Sequence, residues 1–260
     1  MAAATNPSPL LQLSGICKRF GAVEALSGVD FEVSTAEVVG LVGDNGAGKS
    51  TLVKVIAGTY RPDAGEYWFE GRRVELSGPR EAAELGIQTV YQDLALCENL
   101  DVVANLHLGR EQLRPVLPGT LRVLDELSME QRTWRFAQEL HVHIPSLRGL
   151  VAALSGGQRQ AVAVARAVMW NSKIVLLDEP TAALGVEQTQ QVKDLVRSLR
   201  ARGLGVVVIS HNLADVFELT DRIVVLRQGR RVASFHTERT TRQDVVASIT
   251  GAEFGEVASG

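Results

Sequence analysis

The sequence predicts an α/β fold with a mostly parallel central sheet, an antiparallel β subdomain and an inserted helical subdomain. Runs such as KIVLLD and VVVIS are apolar at successive positions, which is typical of strands covered by helices on both faces. Helical patterns follow several of these runs. Two other segments, GEYWFEGRRV and RIVVLRQGRRVA, each hold two short strands around a turn that contains glycine. These segments predict antiparallel hairpins.

The individual elements can be placed in order along the chain. Strands are predicted at 11–13, 29–33, 38–42, 65–69, 88–91, 174–177, 206–209, 223–227 and 232–235. Helices are predicted at 50–57, 156–169, 186–201 and 213–219. Residues 1–9 are expected to be a flexible tail, 10–240 the main α/β domain and 241–260 a C-terminal extension.

The middle of the chain, about 95–158, differs from its flanks. It is rich in Leu, Arg, Glu and Gln, and it predicts helices over 99–109 and 128–140. Pro115, Pro118 and Gly119 interrupt the pattern and indicate a loop or a short insertion. We therefore expect a helical subdomain inserted into the α/β core.

Composition limits the classes of function. A hydrophobic fraction of 45% in 260 residues is enough for a substantial core. A net charge of −3 argues against a broad nucleic-acid footprint, so no nucleic-acid partner is expected. The sequence shows no apolar run long enough to span a membrane, and its first residues lack the pattern of a secretory signal.

The segment VVGLVGDNGAGKST is the most informative one. It matches the G-x-x-x-x-G-K-[ST] pattern of a phosphate-binding loop between a strand and a helix. Backbone N–H groups of such a loop surround phosphates, its lysine reaches the terminal phosphates and its serine supplies a hydroxyl to Mg²⁺. The alternative is a glycine-rich turn with a solvated lysine. The predicted ATP-binding residues here are Gly43, Asp44, Asn45, Gly46, Ala47, Gly48, Lys49, Ser50 and Thr51.

A second unusual segment is LSGGQRQ. Ser155 is a good N-cap, but two glycines at the start of a helix disfavour the helix. They are explained if the backbone must approach an anion closely, although an ordinary capped helix is the simpler alternative. LSGGQ following a phosphate loop resembles the signature of the ATP-binding cassette family. That resemblance implies that Ser155, Gly156, Gly157 and Gln158 cover the ATP of a second subunit in a head-to-tail dimer.

Other positions match the family in the expected order over about residues 10–236. The resemblance implies that Phe20 stacks on adenine, and that Gln92 lies near Mg²⁺ and the transporter contact. It implies that Asp178 holds Mg²⁺, that Glu179 polarises the attacking water, and that His211 is a switch residue near the γ-phosphate. Taken singly, each has a simpler interpretation, such as a core aromatic, a polar loop side chain or a helix-capping pair.

The subgroup is indicated by YQDLALCENLDVVANLHLGRE and DEPTAALGVEQT, which resemble the ATPases of bacterial ribose, xylose and fructose importers. This resemblance implies three partners: a second cassette, identical or not, transmembrane permease subunits and, indirectly, an extracytoplasmic sugar-binding protein. It also implies a peripheral position on the cytoplasmic face of the bacterial inner membrane. The alternative is a non-transport cassette with a regulatory, DNA-associated or ribosome-associated role.

One position departs from the common family pattern. In most cassettes the turn after the catalytic glutamate ends in Leu-Asp, whereas here Leu184 is followed by Gly185. The missing aspartate concerns contact across the dimer and leaves Asp178 and Glu179 intact. The sugar-importer subgroup also tends to lack it, so Gly185 is expected to be a subgroup feature.

Overall fold

A computed structural model describes residues 9–117, 121–140, 142 and 144–252. The strands are β1 (Leu11–Phe20), β2 (Val23–Val33), β3 (Val38–Val42), β4 (Ala64–Phe69), β5 (Arg72–Arg73), β6 (Ile87–Val90), β7 (Leu113–Leu117), β8 (Leu121–Leu124), β9 (Ile174–Asp178), β10 (Gly205–Ile209), β11 (Arg222–Arg227) and β12 (Arg230–His236). The helices are α1 (Lys49–Ile56), α2 (Pro79–Leu85), α3 (Val102–His107), α4 (Glu126–Glu139), α5 (Gly156–Val168), α6 (Val186–Ala201), α7 (Leu213–Leu219) and α8 (Arg242–Thr250). Short 3₁₀ turns lie at Val151–Ala153 and Thr237–Arg239.

The central sheet has six strands in the order β12-β11-β3-β10-β9-β6. Strands β11, β3, β10, β9 and β6 are mutually parallel, and β12 pairs antiparallel with β11. Parallel neighbours require crossover connections, which the helices between these strands provide. The carboxyl ends of five strands therefore lie along one edge of the sheet.

Both faces of this sheet are covered, as the continuous apolar runs predict. In β9, Ile174 and Leu176 belong to the core on one face, whereas Val175 and Leu177 belong to the core on the other. The first face packs against α1 and the antiparallel sheet, and the second packs against α5 and α6. Successive strand residues point to opposite faces, so only a strand buried on both sides needs an apolar residue at every position.

A second, antiparallel sheet has the order β2-β1-β4-β5. Its inner residues, such as Phe31 and Tyr67, join the core above α1. The Tyr67 hydroxyl donates to the carbonyl oxygen of Ile56 over 3.0 Å, which fixes this sheet against the end of α1. The predicted α/β class, with a mostly parallel sheet and separate antiparallel strands, is confirmed.

The region between β6 and β9 contains α3, α4 and α5, together with a two-stranded hairpin of β7 and β8. Pro115 does interrupt the helical pattern, but it lies within β7 opposite Arg122, so the segment at this point is a short inserted hairpin and not a loop. Proline is tolerated there because an isolated two-stranded ribbon consists only of edge strands. Pro118 and Gly119 lie outside the described residues.

Two helices were not predicted from the sequence. Helix α2 has Pro79 in its first turn and ends at Gly86 in the left-handed conformation. Helix α8 lies in the predicted C-terminal extension and packs on β11 and β12 through the buried side chain of Val245. Within the described parts of the chain, no helix combines the length and apolar character that a membrane span requires.

Candidate nucleotide-binding site

The candidate site lies at the edge where four adjacent parallel strands end. The phosphate loop follows β3, Gln92 follows β6, Glu179 follows β9 and His211 follows β10. Since these strands are neighbours in the sheet, residues far apart in sequence come together at their carboxyl ends. This is where ligands bind in open α/β sheets.

The phosphate loop needs two of its glycines for backbone reasons. Gly48 has φ 102 and precedes α1, and a Cβ there would lie 2.8 Å from the carbonyl oxygen of Ala25. Gly43 has φ 151, and a Cβ would run into the backbone of Leu226. Helix α1 starts without a side-chain cap and without an acidic residue in its first turn. Its first N–H groups and its positive dipole end are therefore available to an anion.

Lys49 lies inside this loop. Its ammonium donates to the carbonyl oxygens of Gly43 at 2.7 Å and Asp44 at 3.0 Å. Burial lowers the pKa of Lys49, although Glu179 and other nearby carboxylates act in the opposite direction. A partly desolvated cation at a helix N-terminus favours a polyphosphate ligand, because both the ammonium and the helix dipole attract negative charge.

The two adjacent acids differ in their surroundings. Asp178 ends β9, and burial, followed by the charge of Glu179, raises its pKa. Glu179 has φ 50, an uncommon conformation for a residue other than glycine, and its N–H donates to the carbonyl oxygen of Ile209 over 2.9 Å. An acidic residue with a strained backbone at a strand end is a typical feature of a functional site.

Glu179 is held by the loop that follows β10. Its Oε1 accepts from the backbone N–H of His211 at 3.1 Å and lies 2.8 Å from Nδ1 of the same residue. Its Oε2 accepts from the hydroxyl of Ser210 at 3.4 Å. The His211 side chain is 77% exposed and that of Glu179 is 17% exposed, so the carboxylate is largely covered whereas the imidazole beside it faces solvent.

These groups surround one open cavity of about 730 Å³, within the range of small-molecule sites. All nine predicted phosphate-loop residues line it, as do Gln92, Asp178, Glu179 and His211. Val23, Glu24, Ala25 and Ile209 complete the lining and were missed by sequence reasoning. None of the four belongs to a recognisable motif. Only their positions in the sequence, shortly after Phe20 or at the end of β10, could have indicated them.

Phe20 is placed at the end of β1, opposite Val23 across the strand pair. It is 43% exposed and its ring packs edge-on against Tyr60 at a centroid distance of 5.1 Å. Phe20 does not itself line the cavity, but its strand partner Val23 does. An exposed aromatic next to a nucleotide-sized cavity is available for base stacking.

The predicted signature residues are not brought to this cavity within the chain. The Ser155 hydroxyl accepts from the N–H of Gln158 at 3.3 Å, and the Gln158 side chain accepts from the N–H of Ser155 at 2.9 Å. This reciprocal capping box provides hydrogen-bond acceptors for two backbone N–H groups at the start of α5. Gly157 packs against α6, where an added Cβ would lie 2.9 Å from Cβ of Gln188. Close helix packing therefore accounts for one of the two glycines.

The turn after Glu179 leads into α6 through Gly185. Gly185 occupies the N-cap position with φ −70 and ψ 168, and its N–H donates to the Gln188 side chain at 3.3 Å. These angles are accessible to any residue, and a Cβ at Gly185 would meet no atom within 4 Å. The absence of a side chain here is therefore not required by the fold of the single chain.

The oxygen donors of the cavity suit magnesium. Ser50 offers a hydroxyl, Gln92 an amide and Asp178 a carboxylate, and all three line the same space. Within the described ranges, no group of three or more His, Cys, Asp or Glu side chains could hold a metal ion by itself. Mg²⁺ is commonly held by one or two carboxylates together with water and substrate phosphates, so this donor set fits it.

The sheet order, the phosphate loop and the two acids at the next strand end define a P-loop nucleotide-binding protein. The chain belongs to the ABC transporter family, whose model matches residues 26–182, more than half of its length. This membership confirms the resemblance drawn from the sequence.

The chain is similar to several curated proteins. It is 43% identical to a xylose/arabinose import ATP-binding protein of Sulfolobus acidocaldarius, over 97% of this chain and 98% of that protein. It is 45% identical to a fructose import ATP-binding protein of Rhizobium meliloti, over 94% and 95% respectively. A ribose import ATP-binding protein of Rubrobacter xylanophilus is 42% identical over 95% of this chain, which matches only 48% of that protein.

Solved structures agree with this assignment. A nucleotide-free ATP-binding cassette from an ABC transporter aligns over 93% of this chain with a TM-score of 0.76 and 27% identity. The ADP conformation of another such cassette aligns over 94% with a TM-score of 0.77 and 26% identity.

Proposed function

We propose that this chain is the ATP-hydrolysing subunit of a bacterial sugar importer. The observation that carries the proposal is its match, over nearly the full length of both chains, to proteins named as xylose/arabinose and fructose import ATP-binding proteins. A nucleotide-sized cavity with a phosphate loop, two acids and a histidine supports the ATPase step. The sugar is a monosaccharide, and this subunit does not contact it.

The chain's own residues divide the work of hydrolysis. Lys49 and the N-terminus of α1 bind the ATP phosphates, and Phe20 stacks on the adenine. Bound Mg²⁺, held by Ser50, Gln92 and Asp178, would neutralise charge that develops on the phosphates. Glu179 orients and polarises the attacking water, and His211 positions Glu179 and contacts the γ-phosphate side of the site.

Hydrolysis requires a second cassette. The start of α5, with Ser155, Gly156, Gly157 and Gln158, lies outside the cavity of its own chain. It covers the ATP bound by a second cassette, and the second cassette reciprocates in a head-to-tail pair. ATP thus favours the closed pair over the open one, because the nucleotide contacts both subunits only when they meet.

The pair works on transmembrane permease subunits at the cytoplasmic face of the membrane. Closure moves the helical region and the segment after Gln92 against the permease, and hydrolysis reopens the pair. An extracytoplasmic sugar-binding protein delivers the substrate to the other side. ATP binds more tightly to the closed pair than to the open pair, and this difference in affinity couples ATP to transport.

The test is reconstitution of the chain with the permease and the sugar-binding protein from the same organism. We expect ATPase turnover to rise when the binding protein carries ribose, xylose, arabinose or fructose, and not when it is empty. The Glu179→Gln chain in the same complex serves as the control for contaminating ATPase. Turnover that is unaffected by every sugar-loaded binding protein would contradict sugar import while leaving the ATPase assignment intact.

A further inference from the structure

Asp215 is a buried carboxylate on α7 that does not line the nucleotide cavity. It is only 5% exposed, yet both of its oxygens have partners. Oδ2 accepts from the Thr181 hydroxyl at 2.8 Å and from the Asn212 side-chain amide at 2.9 Å. Oδ1 lies 2.8 Å from the ammonium of Lys193. A buried carboxylate is retained in a fold only when it is satisfied in this way.

Two of these partners belong to the loops that carry the reactive groups. Thr181 lies two residues after Glu179, in the turn that leads to α6. Asn212 follows His211 directly, and its Oδ1 caps α7 by accepting from the N–H of Ala214 at 3.0 Å. The two ends of the Asn212 amide are thus both used, so the side chain cannot rotate without losing a hydrogen bond.

The two loops are therefore joined at two places. At the cavity, Glu179 meets His211 through contacts of 2.8 Å and 3.1 Å. Away from the cavity, Asp215 joins Thr181 of the first loop to Asn212 of the second. Glu179 has φ 50, and a residue in that conformation depends on its surroundings to hold it. The second junction supplies such a restraint without touching the nucleotide cavity.

Lys193 anchors the junction to α6. Its side chain is 10% exposed, and its ammonium also contacts Glu218 at 2.6 Å. Hydrogen bonds to a charged acceptor are about twice as strong as neutral ones, so the charge of Asp215 stiffens the contacts to Thr181 and Asn212. An asparagine at this position would keep the size of the side chain and lose that charge.

We propose that Asp215 is a positioning residue for ATP hydrolysis, which holds the Glu179 turn and the His211 loop in register. This inference rests on the proposed ATPase function. It assigns Asp215 to the rate of hydrolysis and not to ATP binding, because neither Asp215 nor Thr181 lines the cavity. Misplacement of a reactive group by about 1 Å is enough to slow an enzyme.

The test compares steady-state ATPase rates of the chain and its variants, each reconstituted with the permease and the sugar-binding protein, together with their ATP affinities. Asp215→Asn should lower kcat about tenfold with ATP affinity within about twofold of wild type. Thr181→Val, which removes only the hydroxyl contact, should also lower kcat, and Thr181→Ser should restore most of it. The double variant Asp215→Asn with Thr181→Val should be no slower than Asp215→Asn alone, since both remove the same junction.

Val196→Ala is the matched control for stability, because Val196 is buried on the same helix α6 and takes no part in the junction. It should lower the melting temperature without lowering kcat. The inference is overturned if Asp215→Asn and Thr181→Val keep wild-type kcat, if their ATP affinity falls in parallel with kcat, or if Val196→Ala slows turnover equally. A wild-type chain that shows no ATPase activity in the reconstituted complex would instead overturn the proposed function, and this inference with it.

Discussion

The phosphate-loop cavity and the start of α5 differ in backbone strain, in buried charge and in helix capping. In the cavity, Glu179 has φ 50, and burial shifts the pKa of Lys49 downward and that of Asp178 upward. Helix α1 begins there without a side-chain cap. At the start of α5, by contrast, Ser155 and Gln158 cap each other and no backbone strain is present.

If the proposed pair forms, the difference shows how each half of a site shared between two chains looks in a single chain. Strain and desolvated charge accumulate where reactive groups must be held ready, and such features cost stability. The half that, in the proposed pair, only covers the ligand of the other subunit needs no strain of its own. Geometry therefore identifies the cavity as a site, whereas the start of α5 is identified only by the LSGGQ motif and the family that it indicates.

The largest expected effect is loss of turnover when the cavity loses Glu179, its proposed base. Glu179→Gln keeps the size and polarity of the side chain but removes the charge that polarises water. We expect ATP turnover to fall at least about 100-fold while ATP binding persists and the paired form accumulates. Turnover assays, equilibrium nucleotide binding and size-exclusion chromatography measure these three quantities.

Glu187→Gln is the control for this substitution, because it makes the same chemical change at an exposed position in the first turn of α6. It should leave turnover close to wild type. Undiminished hydrolysis by Glu179→Gln would assign the base to another residue.

A mixing experiment separates the two halves of the proposed composite site. Lys49→Ala disables the phosphate loop, and Gly156→Asp places a carboxylate at the start of α5. The fold tolerates the second change, because the added Cβ would meet only the ends of two side chains, Cδ2 of Leu184 at 3.1 Å and Oε1 of Gln188 at 3.8 Å. Each variant alone should be almost inactive, and Gly156→Asp should still bind ATP as a single chain.

Equal mixing of the two variants should restore turnover. Half of the pairs are then mixed, and each mixed pair has one intact composite site out of two, so about a quarter of wild-type activity is expected. Mixtures as inactive as the separate variants, although mixed pairs form, would show that α5 does not act across the pair or that both sites must be intact. Pull-down of one tagged variant with the other establishes that mixed pairs are present.

Asp178 should reveal the stability cost of the cavity. Burial raises the pKa of Asp178 above the ordinary 3.8. As the pH rises from below 3.8 through the pKa of the folded chain, the folded chain therefore loses stability relative to a variant with an uncharged side chain at this position. Asp178→Asn should therefore raise the melting temperature of the nucleotide-free chain, and this gain should be larger at neutral pH than near pH 4.

Differential scanning calorimetry across this range measures the effect, with Asp194→Asn as the matched change at an exposed carboxylate. ATPase activity should fall in Asp178→Asn and persist in Asp194→Asn. A melting temperature that drops at neutral pH in Asp178→Asn would show that Asp178 stabilises the empty cavity.

The parts of the fold that could be predicted from the sequence are those with a local cause. Strands β9 and β10 were predicted because burial on both faces demands apolar residues at every position. The β7–β8 hairpin was missed because Pro115 indicates a break and because its strands lack a buried alternating face. Helix α8 was missed since its burial depends largely on the single residue Val245.

The candidate site divides in the same way. The phosphate loop was predictable because its backbone geometry requires glycine at fixed positions. Gly43 and Gly48, for example, have positive φ angles and no room for a Cβ. The role of Asp215 was not, since a carboxylate in an amphipathic helix is normally solvated. Only the folded chain places Thr181 and Lys193 around it.

The smallest expected effect concerns Gly185, at the boundary between the two halves. It is the N-cap of α6, and both its backbone angles and the free space around it accept a side chain. Aspartate caps helices better than glycine by a few tenths of a kcal/mol and adds a favourable charge at the helix N-terminus, so Gly185→Asp should stabilise the chain by about 0.5 kcal/mol. Because Asp178 and Glu179 keep their surroundings, the ATPase rate should change by less than about twofold.

Thermal unfolding and steady-state ATPase assays of Gly185→Asp check both expectations, with Gly185→Ala as the variant that adds a Cβ without a cap or a charge. Stabilisation without a rate change would mean that glycine was retained here for a reason outside the single chain, such as contact with the second cassette. A large gain in turnover would mean that the native site is attenuated. In that case the two halves of the proposed composite site differ in two respects. One is the backbone strain at Glu179, and the other is the carboxylate that is missing at Gly185.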